Sequence, residues 1–488
     1  MGALQLIIVS STVAVLLVAT VIVSICCGLC AKTIAHEDLV KDKMIRGVNS
    51  TAVTSLKWPK NFYFGVSTAA FQNEGFNPYS TWSMWSNTSH VRDSPVQACD
   101  SWHNFEAVDV PNARFMGCNS FRLSLDWARI EPQKGRFNQA AIARYVSMMR
   151  ALKANGMEPV LTLVHFALPQ WTCGWEDHEQ MGADFRSFVA HVAPQLAPYV
   201  RYWITINEPV IDAINTHLLG TRWPGKKSFW ACIRAMRGMW VAHNEAFNVI
   251  KGVDPNAEIS IAKNTTVKRV LNPFSPIDHA LKKALDYIYN YTFVEACVAG
   301  EFNLLGVQAT GTPNSLTFLG VNFYNMVRVG VVNGAPDIIM TSTETPKVNS
   351  MGWEMRPASI FTALKTMWTR FKLPIMITEA GTPDNSERSL YLHQQLYCVA
   401  NAIHINIPII GYMYWTLHDN YEWCESYMCR FGLFETDYEK LRFCIANKMD
   451  PAQCFKPRPA ALEYKNVITG ITGETQAALQ PAEKFKFV

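Results

Sequence analysis

The chain has 488 residues, 49% of them hydrophobic and 17% charged, which excludes a disordered polymer and leaves room for one large domain with an appendage. Lysine and arginine number 44 against 40 aspartates and glutamates, and a net charge of +4 is too even to mark a nucleic-acid surface. Thirteen cysteines in this length are far below the density of a disulfide scaffold.

Residues 1–31 carry no charged side chain. From Leu4 to Leu29 the run is apolar apart from Gln5 and a few hydroxyl residues. A helix there, rising about 1.5 Å per residue, is long enough for the roughly 30 Å core of a bilayer. No basic stretch precedes it, and it is longer than the apolar part of a usual signal peptide. Residues 1–31 therefore read as an uncleaved single-pass membrane anchor, inserted through residues 4–29. A cleaved leader is the alternative, since Gly28-Leu29-Cys30 has a small-x-small form. Lys32, Lys41, Lys43 and Arg46 follow the span and favour a cytosolic main domain, with Cys26, Cys27 and Cys30 as lipidation candidates on that side. Asn49, Asn87, Asn264 and Asn290 begin N-x-S/T sequons, but this composition yields about that many by chance. The side of the membrane stays open. So does the pairing of Cys424 with Cys429 and of Cys444 with Cys454, as disulfides or plain thiols.

Residues 32–57 are polar, lack periodicity and read as a stalk. Eight short β-rich runs follow: Phe62–Ala69, Ser120–Trp127, Glu158–His165, Tyr202–Glu208, Glu258–Asn264, Phe318–Tyr324, Pro374–Glu379 and Ile409–Leu417. Helical stretches lie between them, at Gln139–Asn155, Ala183–Leu196, Ser228–Lys251, Pro357–Phe371 and Ser389–Ile405. In the last, Leu392, Leu396, Val399 and Ile403 repeat at helical spacing. Strands alternating with helices predict an α/β fold, a (β/α)8 TIM barrel over 58–470, with 471–488 as a tail. An open doubly wound sheet would want a Gly-rich phosphate turn after its first strand, and Ser67-Thr68-Ala69-Ala70-Phe71-Gln72 is not one.

Chemistry in such a barrel projects from the C-terminal strand ends. Those ends hold Gln72, Arg122, His165, Asn207, Glu208, Asn322, Tyr324, Glu379 and Trp415, with Glu422 and Trp423 just beyond. There is no His/Cys cluster at metal-ligand spacing, no G-x-S-x-G elbow and no P-loop, so neither a metal nor a cofactor is expected. Amides with tryptophans suit a neutral polyhydroxylated ligand: hydroxyls need donors and acceptors, and a sugar's C–H face needs an aromatic platform. Two carboxylates across such a pocket are what glycosidic cleavage requires.

These residues carry a resemblance. Trp203-Ile204-Thr205-Ile206-Asn207-Glu208-Pro209 resembles the acid/base motif of glycoside hydrolase family 1, and Ile377-Thr378-Glu379-Ala380-Gly381 its nucleophile motif. Phe64–Gly75, Ser120–Ile130, Thr162–Pro169 and Gly411–Trp423 resemble its first, second, third and eighth strand regions. Together they cover the chain from about Trp58 to Tyr464.

The resemblance implies a retaining mechanism with Glu379 as nucleophile and Glu208 as acid/base. It implies that Arg122 keeps Glu379 ionised and that Tyr324 orients it. Asn207 is expected at the sugar 2-hydroxyl, with Gln72, His165, Asn322, Glu422 and Trp423 as further glycone contacts. Trp415 would be the pocket floor, and Trp353 part of an outer subsite. Glu208, where the family's thioglucosidases carry Gln, implies an O-glycoside. Glu422-Trp423 implies a non-phosphorylated sugar, because a carboxylate repels phosphate. Ala380, Phe166 and Ala167 depart from the family pattern, as does the segment 94–118. The expected activity is hydrolysis of β-glucosides or β-galactosides, from a small-molecule or lipid-linked substrate.

Two alternatives accompany this reading. Asn155-Gly156-Met157, Leu168-Pro169 and Trp223-Pro224-Gly225, with the anchor, resemble more weakly the membrane-bound galactolipid galactosyltransferase branch of the family. That implies sugar transfer by the same site. The other alternative is a non-catalytic sugar-binding module, against which the intact Glu208, Glu379 and Arg122 stand. Oligomeric state is not legible.

Overall fold

A computed structural model describes residues 45–89, 91, 97–339 and 348–473. The expected anchor at 4–29 and the tail from 474 lie outside them. No helix among the described residues is long and apolar enough to cross a membrane.

Eight strands form a closed parallel barrel: β1 (Tyr63–Ser67), β2 (Ser120–Ser124), β3 (Glu158–Val164), β4 (Tyr202–Asn207), β5 (Glu258–Asn264), β6 (Leu319–Asn322), β7 (Ile375–Ala380) and β8 (Ile409–Trp415). Each pairs with its sequence neighbours, and β8 closes on β1. All eight expected runs are strands: Glu258–Asn264 is as expected, Pro374–Glu379 is shifted by one residue to Ile375–Ala380, and the other six are shorter than expected. The strands are buried along almost their whole length because helices cover the outside while side chains fill the inside. The inner filling is a distinct cluster that includes Tyr63, Val160, Tyr202, Ile204, Met376 and Met413. A far larger apolar shell lies between strands and helices.

The helices follow from capping and periodicity. Asn138, Asp177 and Ser228 each accept a backbone N–H as N-cap of Gln139–Ala154, His178–Leu196 and Phe229–Val253. In the first of these, Ile142, Tyr145, Met149 and Leu152 form the buried face at three- and four-residue spacing.

One expectation is revised, and one open question is narrowed. The described part of the stretch read as a stalk is not free: Ile45, Val48 and Val53 are buried, and the short helix Ser50–Thr54 packs between helices Arg388–His404 and Pro459–Thr472. Hydrophobic burial at those three positions outweighs the polar composition around them. Among the cysteines, Cys424, Cys444 and Cys454 carry free thiols, with the buried sulfurs of Cys444 and Cys454 3.6 Å apart.

Candidate active site

The strands that carry the two carboxylates share a local irregularity. In β4, three steps from Ile204 to Asn207 match two in β5, from Ser260 to Ala262. In β7, two steps from Ile377 to Glu379 match one in β6, from Val321 to Asn322. One extra residue at each point re-aims the side chains that follow, as β-bulges next to active sites do. Glu208 then takes a left-handed φ of 45° and enters helix Pro209–Ala213, whose Pro sits in the first turn where no N–H is needed. Gly381 follows β7 because any Cβ there would strike the Trp415 carbonyl.

Glu379 is 3% exposed and held on both oxygens. Arg122 Nη1 donates to Oε1 at 2.5 Å, and the Tyr324 hydroxyl donates to Oε2 at 2.6 Å. Arg122 is wholly buried and has further acceptors in Thr162 Oγ1 at 3.1 Å, Ser67 Oγ at 3.2 Å and Asn207 Oδ1 at 2.8 Å. Burial is the largest influence on the Glu379 carboxyl and lifts it to about 7. The Arg122 charge opposes this, the Glu208 charge reinforces it, and the hydrogen bonds from Tyr324 and Arg122 oppose it again. The resemblance implies that Arg122 keeps Glu379 ionised; burial outweighs the Arg122 charge and raises the group instead. The Tyr324 hydroxyl is pushed well above its usual value, first by burial and then by Glu379, so it keeps the proton it donates.

Glu208 is 7% exposed and meets amides instead. Nδ2 of Asn322 and of Asn264 donate to its Oε1, at 2.8 and 3.0 Å. Asn207 Nδ2 stands 3.1 Å from His165 Nε2, and burial drives His165 well below its usual value, so the ring is neutral.

The remaining expected residues gather around these. Gln72 Nε2 donates to the Tyr421 carbonyl at 2.9 Å and to Glu422 Oε2 at 3.2 Å. Burial, then the Glu379 charge, raises Glu422 to about 8, while a hydrogen bond with Trp415 works the other way. The His165 ring is near-parallel to Trp415 and to Trp423, at 5.8 and 5.9 Å. Trp353 meets Tyr324 at 5.6 Å and Phe431 at 6.3 Å. Gln72 Oε1 and His165 Nδ1 are buried with no protein partner, the condition of groups that face a polar ligand. Every residue assigned to the site from the sequence lies at this end of the barrel.

Three neighbours were not assigned from the sequence. Asn264 closes β5 and was within reach of the same strand-end logic. Tyr289 comes from an irregular helical turn and Arg222 from a loop, where no periodicity points inward. Phe166, one of the departures, has its ring under the Arg222 guanidinium at 4.6 Å and edge-on to Trp423 at 5.2 Å. Asn264 and Asn290, both sequons, have their amides engaged inside the fold.

Two buried carboxylates at the mouth of a (β/α)8 barrel, set among aromatic faces and amides, define a glycoside hydrolase. The family model for glycosyl hydrolase family 1 matches residues 54–449, and the chain belongs to that family, whose members are in general retaining β-glycosidases. It is 28% identical over 424 residues to β-glucosidase A of Thermotoga maritima, covering 78% of this chain and 94% of that one. It is 27% identical over 398 residues to the chloroplastic galactolipid galactosyltransferase of Arabidopsis thaliana, covering 74% of this chain and 57% of that one. Among solved structures, the β-glycosidase from Pyrococcus horikoshii superposes with a TM-score of 0.76 at 26% identity, over 85% of this chain and 95% of the other.

Proposed function

We propose that this chain hydrolyses O-linked β-glucosides or β-galactosides, with Glu379 as nucleophile and Glu208 as acid/base. The observation that carries the assignment is the unequal dressing of the two carboxylates. Glu379 has a cation on one oxygen and a phenol on the other, partners that favour a carboxylate poised to attack. Glu208 has only neutral partners and can alternate between acid and base.

In the first step a Glu379 oxygen bonds to the anomeric carbon as the glycosidic C–O bond breaks, and the Glu208 proton goes to the departing oxygen. In the second, Glu208 takes a proton from water. The oxygen of that water bonds to the anomeric carbon, and the Glu379 ester bond breaks. Gln72, His165 and Glu422 bind glycone hydroxyls, with Trp423 and Asn322 beside them. Asn207 meets the 2-hydroxyl, Trp415 forms the floor, and Trp353 lines an outer subsite. Residues 4–29 anchor the protein in a membrane.

Azide tests the assignment. Glu208→Ala with azide should yield a β-glycosyl azide, and Glu379→Ala the α-product, because azide enters from the vacated face. The reverse pattern would exchange the two roles.

A second reading keeps this site and replaces water with a sugar acceptor. Its support is the likeness to the galactolipid galactosyltransferase together with the apolar N-terminal run. Product analysis with a galactolipid supplied decides it: free sugar alone supports hydrolysis, and lengthened glycolipid supports transfer.

A further inference from the structure

One hydrogen-bond network joins the two carboxylates, and Arg122 sets its polarity. A guanidinium has donors only. The Asn207 amide atom 2.8 Å from Arg122 Nη2 is therefore the oxygen, Oδ1. Asn322 lies 3.2 Å from that oxygen and must turn Nδ2 toward it. Thr378 Oγ1 completes this orientation by donating to Asn322 Oδ1 at 2.7 Å. The same Nδ2 has a second hydrogen, which goes to Glu208 Oε1 at 2.8 Å. Oε1 is thus an acceptor, and Asn264, 3.0 Å away, must also present Nδ2. Asn264 Oδ1 then accepts from Tyr289 Oη at 2.6 Å and from Thr266 Oγ1 at 3.3 Å.

Tyr289 is well placed to fix that orientation. It sits in the wide helical turn Tyr287–Tyr291, a kind of turn common at functional sites. The amino nitrogens of Lys263 and Lys268 lie over its ring, 4.6 and 4.4 Å from its centre.

We infer that Glu208 Oε1, occupied by two amide N–H donors, is closed to protonation, that the proton transferred to the leaving group resides on Oε2, and that Asn264 and Tyr289 are positioning residues enforcing this. The inference rests on Glu208 being the acid/base. Without the Tyr289 hydroxyl, Asn264 can rotate and offer Oδ1 to Glu208. An amide oxygen there accepts a proton instead of donating one. Glu208 would then hold its proton more tightly, and on the wrong oxygen.

The experiment compares kcat/KM on an alkyl β-glucoside, whose leaving group needs a proton, with a dinitrophenyl β-glucoside, whose leaving group does not. The variants are Tyr289→Phe, Asn264→Ala and, as reference, Glu208→Ala. Tyr289→Phe and Asn264→Ala should each lose roughly tenfold more on the alkyl than on the dinitrophenyl substrate, about the effect of losing one hydrogen bond. In Tyr289→Phe the alkaline limb of the alkyl-substrate profile should also move up by about half a pH unit. The other titratable groups that sense the Glu208 charge are Glu379, Tyr324, Asp212 and Lys263, and all are unchanged in these variants. Equal losses on the two substrates, with an unmoved limb, would overturn the inference and leave Tyr289 a packing residue. Should Tyr289→Phe fail to fold, the split in Asn264→Ala decides. If Glu208→Ala itself shows no split between the substrates, the acid/base assignment fails first, a result distinct from a split in Glu208→Ala alone.

Discussion

The ends of β4 and β7 present the same residue type at nearly the same burial, yet in opposite company. Glu379 is bound by a cation and a phenol, Glu208 by two amides. Exposure cannot separate their roles, since the two differ only between 3% and 7%. Their partners can. In the proposed mechanism the carboxylate fixed at both oxygens is the one that attacks. A carboxylate with one oxygen occupied by neutral donors keeps the other for gaining and losing a proton. The same polypeptide device, one extra residue in the strand, aims both, so division of labour lies in the neighbouring strands and not in the carboxylates' own.

The largest expected effect comes from removing the group proposed to attack. Glu379→Ala should lose on the order of 10⁵-fold or more in kcat, whatever the leaving group. Glu208→Ala should lose roughly 10²- to 10⁴-fold on alkyl glycosides and far less on dinitrophenyl glycosides, because general-acid help matters only to poor leaving groups. Steady-state kinetics with a leaving-group series measure both. Equal slopes in the two variants would erase the contrast between the carboxylates. Indifference to both substitutions would return the chain to a sugar-binding module.

Much of this contrast was legible in the sequence. The alternation of strands and helices predicts the barrel, and an acid closing an apolar strand predicts a pocket carboxylate, as at Glu208 after Ile204-Thr205-Ile206 and Glu379 after Ile375-Met376-Ile377. What holds those acids was legible only in part. Arg122 and Tyr324 lie on strands or their ends, where the two-residue period says which way they point. Tyr289 and Arg222 lie on an irregular turn and a loop, which have no period to read. The burial of Ile45, Val48 and Val53 was hidden for a similar reason, since Ile45 and Val48 lie outside any regular element and the helix that holds Val53 has only five residues. The balance of influences on Glu379 was illegible because desolvation depends on how completely the surrounding loops close over it.

A smaller effect sharpens the contrast through pH. As the proposed nucleophile Glu379 must be ionised, so kcat/KM on a dinitrophenyl glycoside should fall on the acid side, with a limb near the value of about 7 that burial imposes. The Glu208 charge is among the causes that raise it. Glu208→Gln removes that charge and should move the limb to lower pH by about half a unit. A limb that stays in place would mean the two carboxylates do not sense each other.

The smallest effect separates function from stability at the same residue. Glu379 in the folded protein titrates at about 7, above the ordinary carboxyl value of 4.5. A raised carboxyl favours the fold while it is protonated. Its contribution is fully present below about pH 4.5 and is lost as pH rises through about 7, where the buried group ionises. At pH 8 the ionised Glu379 is therefore a burden on the fold, only partly relieved by Arg122 and Tyr324. Glu379→Gln keeps the shape and removes the charge. Its melting temperature should exceed that of the parent by about 2 °C at pH 8, and the difference should shrink or reverse at pH 5, as linkage in a domain of this size allows. Thermal scans at the two pH values measure it. A variant less stable than the parent at pH 8 would mean that the ion pair with Arg122, not desolvation, governs Glu379. Glu379 would then be the better supported of the two carboxylates in stability as well as in charge.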